Sequence, residues 1–113
     1  VFCGSEVFLL QTMRAGGSGC VSATVNINAS AIYNLYKAWE SNEADDLQQQ
    51  LNQVRQTVEA YPMIPALKSV VSYHKKDPNW SIVRPPFISL EQSTQQELVQ
   101  KLDLIGLKIP NLD

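Results

Sequence analysis

The 113-residue sequence contains a single histidine and only two cysteines, which leaves little material for a metal centre. Cys3 and Cys20 lack CxxC spacing, and no carboxylate cluster surrounds His74, so metal binding is poorly supported. Long apolar runs are also missing, and nothing approaches the length needed to span a bilayer. Neither sign of charge dominates. Nine Lys and Arg stand against eleven Asp and Glu, a net charge of -2, which argues against a nucleic-acid or anionic-membrane partner. No signal or transit peptide pattern is visible, and a cytoplasmic location is the expectation. An initiator methionine and a polar lead-in are absent as well. The chain opens directly on "VFCG", an apolar, β-favouring stretch.

What is present reads as an ordinary globular domain. Hydrophobic residues make up 44% and charged residues 18%, a composition outside the disordered range, and the length suits one compact core. Cys3 and Cys20 lie in separate strand-like runs and read as two buried free thiols in a reducing compartment. A disulfide or a reactive thiol is the alternative.

Residues 1–4 read as a strand, followed by a helix over 6–15 with Phe8, Leu9, Thr12 and Met13 on one face. Gly16-Gly17-Ser18-Gly19 ends that helix. "CVSATVNIN" reads as a second strand, buried at its start and polar at its end, with Ser22 and Thr24 on it and Asn26 near its close. A helix is expected over 29–40, with Ser30 as its cap. The clearest helix is 43–61. There Leu47, Leu51, Val54, Val58 and Tyr61 draw one apolar stripe, and Gln48, Gln49, Gln50, Asn52 and Gln53 cover the other face. Pro62 stops it and Pro65 fits the first turn of the next helix. Residues 75–88 read as an extended connector. A last helix runs from Ser93 or Thr94 to Ile105, with capping-box spacing in Ser93/Gln96 and Thr94/Glu97.

Strands alternating with helices argue for parallel strands joined by crossovers. Two strands cannot form a self-sufficient parallel sheet, so the pattern implies more strands than are present. The functional edge of such an architecture is the C-terminal end of its strands, which carries Ser5 and Glu6 after the first run and Ser22 on the second. Ser5 also suits a helix cap, and Glu6 the positive end of the same helix. "GGSGC" is not a phosphate loop, because it follows a helix, enters a strand and has no lysine. No feature brings His74 near a serine, so hydrolase chemistry is not supported.

"VFCGSE", "AGGSGCVSATVNINA" and "YPMIPALKSVV…VRPPF" resemble the C-terminal part of the dihydrodipicolinate synthase / N-acetylneuraminate lyase family. The resemblance covers essentially the whole chain. It implies an α/β fold, the C-terminal fragment of a (β/α)8 TIM barrel. Residues 1–42 would form the last two β/α units and 43–113 a C-terminal helical extension of three helices. It also implies class I aldolase or lyase chemistry on pyruvate or a related 2-oxo acid, through a lysine Schiff base and without a cofactor.

Carried over by position, Gly4 lines the substrate cavity and the main-chain carbonyl of Val21 faces the 2-oxo acid. Glu6 and Ser22 match two positions that bind the sugar-acid tail in the sialate-lyase branch, where Ser5 replaces an aspartate. The family's Schiff-base lysine would precede Val1, and none of Lys37, Lys68, Lys75, Lys76, Lys101 and Lys108 is read at a strand end. The chain is therefore expected to bind a 2-oxo acid only within a complete barrel and to be inactive alone. As partners, a homo-oligomer or association with the missing N-terminal part is expected. The alternative is a non-catalytic, mainly helical self-association module.

Overall fold

The structure, a computed structural model, describes residues 1–109. Among these residues the architecture is α/β, with two short parallel strands and five α-helices. The chain divides into two compact units, one spanning Val1–Arg55 and the other beginning at Gln56.

In the first unit, β1 (Phe2–Cys3) pairs in parallel with β2 (Gly19–Cys20), with Phe2 opposite Gly19 and Cys3 opposite Cys20. Between them the chain makes a short 3-10 turn (Glu6–Phe8) and then α1 (Leu9–Arg14). Gly16, at φ +88°, ends α1 in a conformation that side chains avoid. Gly17 is required by close approach, since a Cβ there would lie 2.3 Å from Thr12 Cγ2 and 2.9 Å from the Thr12 carbonyl oxygen. That approach folds the glycine run back against α1 and returns the chain into β2.

The second strand is much shorter than its sequence pattern predicts. The ladder closes with the Val21 N–H donating to the Cys3 carbonyl at 2.9 Å, after which the chain turns and α2 (Val25–Ala38) begins. Thr24 therefore occupies the N-cap position of α2, and Asn26 lies within the helix, not at a strand end. Alternation of Val21, Ala23 and Val25 with polar residues mimics a strand. The hydroxyls of Ser22 and Thr24, however, are drawn inward to one carboxylate, and the chain leaves the sheet to deliver them. Ser30 is an interior residue of α2, not its cap. A kink at Asn28 (φ -136°, ψ 29°) explains why the pattern places the helix start at 29, because regular helix resumes there.

The core of this unit joins Leu9, Leu10 and Met13 of α1 to Ile32 and Leu35 of α2 and to Ala44 and Leu51 of α3 (Ala44–Glu59). Leu51, Val54 and Val58 of the α3 stripe are buried as the helical periodicity predicts, but the α1 face differs from the predicted one: Phe8 precedes the helix and is exposed, and Leu10 is buried beside Leu9 and Met13 because the chain enters α1 through a 3-10 turn. The boundary between the two units falls inside α3.

The second unit contains α4 (Met63–Lys75), a 3-10 turn at Pro78–Ser81 within the connector, and α5 (Gln92–Leu104). Pro65 sits in the first turn of α4, where its missing N–H costs nothing. Ala66, Leu67, Val70, Leu98, Val99 and Leu102 are buried, while Ile64 is exposed. Gln95 ties α5 to α4 by donating to the Ser69 carbonyl at 2.8 Å. The predicted capping box of α5 does not form. The helix begins at Gln92 with Glu91 as an N-cap that makes no side-chain bond. Ser93 and Thr94 therefore lie inside the helix and not at its cap, and Glu97 is engaged by Tyr61 and Lys101.

Candidate functional site

Because Cys3 and Cys20 are opposite one another, the residues that follow them leave the sheet side by side. Gly4, Ser5 and Glu6 follow β1, and Val21 and Ser22 follow β2. This edge gathers the polar groups of the first unit.

Glu6 is its centre, with a side chain only 1% exposed. The Thr24 hydroxyl donates to Oε1 and the Ser22 hydroxyl donates to Oε2. The Arg55 guanidinium donates to Oε2 at 3.2 Å and to Ser22 Oγ at 3.2 Å. The Ser22 and Thr24 oxygens lie 3.2 Å apart. A buried carboxylate needs both a counter-charge and donors for its lone pairs. Arg55 and the two hydroxyls supply them.

The backbone of the same turn is held as firmly. Gln48 Nε2 donates to the Glu6 carbonyl at 2.9 Å and to Asn52 Oδ1 at 2.9 Å, and its Oε1 accepts from the Leu10 N–H at 3.0 Å. Gln48 is therefore a buried clamp, not part of a solvated face. Ser5 caps the turn, accepting from the Val7 N–H at 3.3 Å. Gly4 has open space where a side chain would stand, and Val21 is exposed.

Of the residues singled out in the sequence, Glu6 and Ser22 are thus in direct contact, and Gly4, Ser5 and Val21 border them at the same edge. Arg55, Thr24 and Gln48 complete the cluster and were not anticipated in these roles. Gln48, Asn52 and Arg55 are spaced by four and three residues, a polar line at helical period running beside the apolar stripe of α3. That spacing is the signal that marks them as facing inward.

None of the described lysines stands at the strand ends. Lys37 lies in α2, Lys68 and Lys75 in α4, Lys76 caps α4, Lys101 lies in α5 and Lys108 follows it. Lys68 donates to the Ile82 carbonyl. Among the described residues no group of three or more His, Cys, Asp or Glu could hold a metal ion, and no helix is long and apolar enough to cross a membrane.

The profile of the Dihydrodipicolinate synthetase family matches residues 1–105. Solved structures share the fold. A prophage protein of the dihydrodipicolinic acid synthase family from E. coli K12, in complex with pyruvate, superposes with a TM-score of 0.80 at 26% identity, over 96% of this chain and 37% of its own. N-acetylneuraminate lyase from Fusobacterium nucleatum gives 0.79 at 21% identity, over 95% and 37%. A 2-keto-3-deoxygluconate aldolase variant from Sulfolobus solfataricus, in complex with L-2-keto, 3-deoxy-galactonate, gives 0.80 at 19% identity, over 93% and 36%. The chain thus spans little more than a third of the length of these structures.

Proposed function

The chain belongs to the dihydrodipicolinate synthetase family, and from that premise we propose that it forms part of a Schiff-base aldolase or lyase acting on pyruvate or a related 2-oxo acid. The observation that carries this reading is the shared strand edge, where Gly4, Ser5 and Glu6 follow β1, Val21 and Ser22 follow β2, and Ser22 is bonded to the Glu6 carboxylate. The pyruvate bound by the E. coli relative supports the substrate class. In this reading β1 and β2 are the last two strands of a barrel, and α3, α4 and α5 form a helical extension.

Each residue of the edge has a role that its chemistry allows. Gly4 leaves room for the ligand, and the Val21 carbonyl offers a backbone acceptor. Ser5 and Ser22 give the wall its polarity. Glu6 holds Ser22 in one orientation, and Arg55 holds Glu6. An imine-forming amine must be desolvated and aimed at the carbonyl carbon. The six lysines here lie on helices, at a helix cap or beyond a helix end, so the chain contributes cavity wall and not the nucleophile. Alone it is catalytically inactive.

Borohydride reduction in the presence of pyruvate, followed by intact mass and peptide mapping, tests the assignment of the nucleophile. No single-site adduct is expected; a stoichiometric adduct on one of the six lysines would place the imine in this chain and overturn the mapping. Amide chemical shifts recorded with millimolar pyruvate test the wall. Gly4, Ser5, Val21 and Ser22 should respond first, and a response confined to other residues would remove them from the site.

A second reading, a non-catalytic association module, is favoured by one observation. Phe2, Tyr33 and Tyr36 are exposed around an apolar groove of about 400 Å³ that also reaches Leu9, Cys20 and Ile32. A concentration-dependent sedimentation coefficient with no response to pyruvate would select it.

A further inference from the structure

Cys3 and Cys20 are direct Cα partners on adjacent parallel strands. Neighbouring strands lie about 4.8 Å apart, and directly opposed side chains project from the same face of the sheet. Disulfides accept Cα separations of roughly 4.4–6.8 Å. Both thiols are free and half-buried. The Cys3 thiol also donates to the Ser5 carbonyl at 3.2 Å and to the Gly19 carbonyl at 3.6 Å, which keeps it in the space between the two strands.

We propose that Cys3 and Cys20 form a dithiol site that reacts with small-molecule disulfides and closes into a bridge between β1 and β2. The Cys3 thiolate, having lost its proton to solvent, attacks one sulfur of the small disulfide. A mixed disulfide forms, and the other half leaves as a thiolate. Cys20, deprotonated in turn, attacks Cys3 Sγ and expels the second half. Two protein thiols are oxidised to one disulfide, and the small disulfide is reduced to two thiols. Burial, then the nearby Cys3 and Glu6, pushes the Cys20 thiol up; its attack is favoured by its place directly opposite Cys3 in the ladder.

The bridge lies one residue behind both Gly4 and Val21. Resting on the reading given under Proposed function, it therefore sets the separation of the two backbone positions assigned to the 2-oxo acid. The dithiol chemistry itself stands without that reading and is tested without pyruvate.

The test is intact mass spectrometry of the native chain at low concentration after incubation with oxidised glutathione. The expected product is monomeric, has lost two hydrogens and carries no glutathione. Cys20→Ser should accumulate one glutathione on Cys3. Phenylarsine oxide, which needs two thiols for stable capture, should bind the native reduced chain one-to-one and should not bind Cys3→Ser or Cys20→Ser. Two glutathiones per native chain, a covalent dimer, or reaction only after addition of urea would each overturn the proposal.

Discussion

Glu6 meets Arg55, Ser22 and Thr24 in the first unit, and Glu97 meets Lys101 and Tyr61 in the second. The two clusters use nearly the same chemistry, a carboxylate with one cation and hydroxyl donors, under opposite solvent conditions. Glu6 is buried and its partners lie 16, 18 and 49 residues away. Glu97 and Lys101 are exposed neighbours at i,i+4 on α5, and Tyr61 reaches them from the start of the unit, with the Lys101 ammonium 5.4 Å from its ring centroid.

Burial decides what each cluster does. Around Glu6, every partner is needed because water does not replace it. Around Glu97, water competes with every partner and solvent screening leaves the pair with little net effect. The first cluster fixes the path of the chain at the strand edge, while the second decorates a helix already formed.

The comparison breaks most directly at Arg55. Arg55→Met removes the cation from a buried carboxylate and should cost about 3 kcal/mol in urea unfolding, with Glu6→Gln added to it recovering part of the loss. A change below about 0.5 kcal/mol would mean that Glu6 is not held by charge, and the contrast between the clusters would fail. Apolar burial should instead be equal in the two units. Leu35→Ala in the first and Leu98→Ala in the second, both fully buried, should each cost about 3 kcal/mol. A large inequality, read from the same urea curves, would show that one unit relaxes around the cavity. Gln48→Ala strands the Leu10 N–H and should cost about 2 kcal/mol, with the Leu10 amide losing hydrogen-exchange protection.

The smallest effect is expected at Tyr61. The Tyr61 hydroxyl, then Lys101, holds the Glu97 carboxyl below its ordinary range, and Glu97 followed by Tyr61 holds Lys101 above its own. A lowered carboxylate contributes stability above its unfolded pKa and loses it as pH falls through the folded value. A raised lysine contributes below its unfolded pKa and loses it as pH rises through the folded value. Both contributions are therefore present at neutral pH and fade only at the acid and alkaline extremes. Tyr61→Phe should move the Glu97 titration, followed by carboxyl 13C NMR, towards that of an ordinary glutamate while leaving the neutral-pH unfolding midpoint unchanged. A clear drop in that midpoint would give the exposed cluster a structural role.

Helix faces and stops were legible in the sequence because they depend on residues three or four apart and on glycine or proline at the boundary. The stripe of α3, the end of α1 at Gly16 and the position of Pro65 in α4 are of this kind. Strand extent was not legible. Val21 to Asn28 alternates as a strand would, but Ser22 and Thr24 are claimed by a glutamate 16 and 18 residues earlier, which no local pattern contains. Ser5, Glu6 and Ser22 are legible as strand-end residues, but Arg55 is not, because the carboxylate it meets lies 49 residues earlier.

By itself the sequence determined the order of the elements, the apolar stripe of α3 and a family resemblance in the strand-end and "IPALK" motifs, since all of these are written in short-range spacing. Only the tertiary structure decided that Glu6 would be neutralised by Arg55, that Gln48 would turn inward and that Cys3 would stand beside Cys20. Those outcomes depend on which distant segments meet. The cost of burying a charge or an unpaired backbone group selects among them only once the chain has folded.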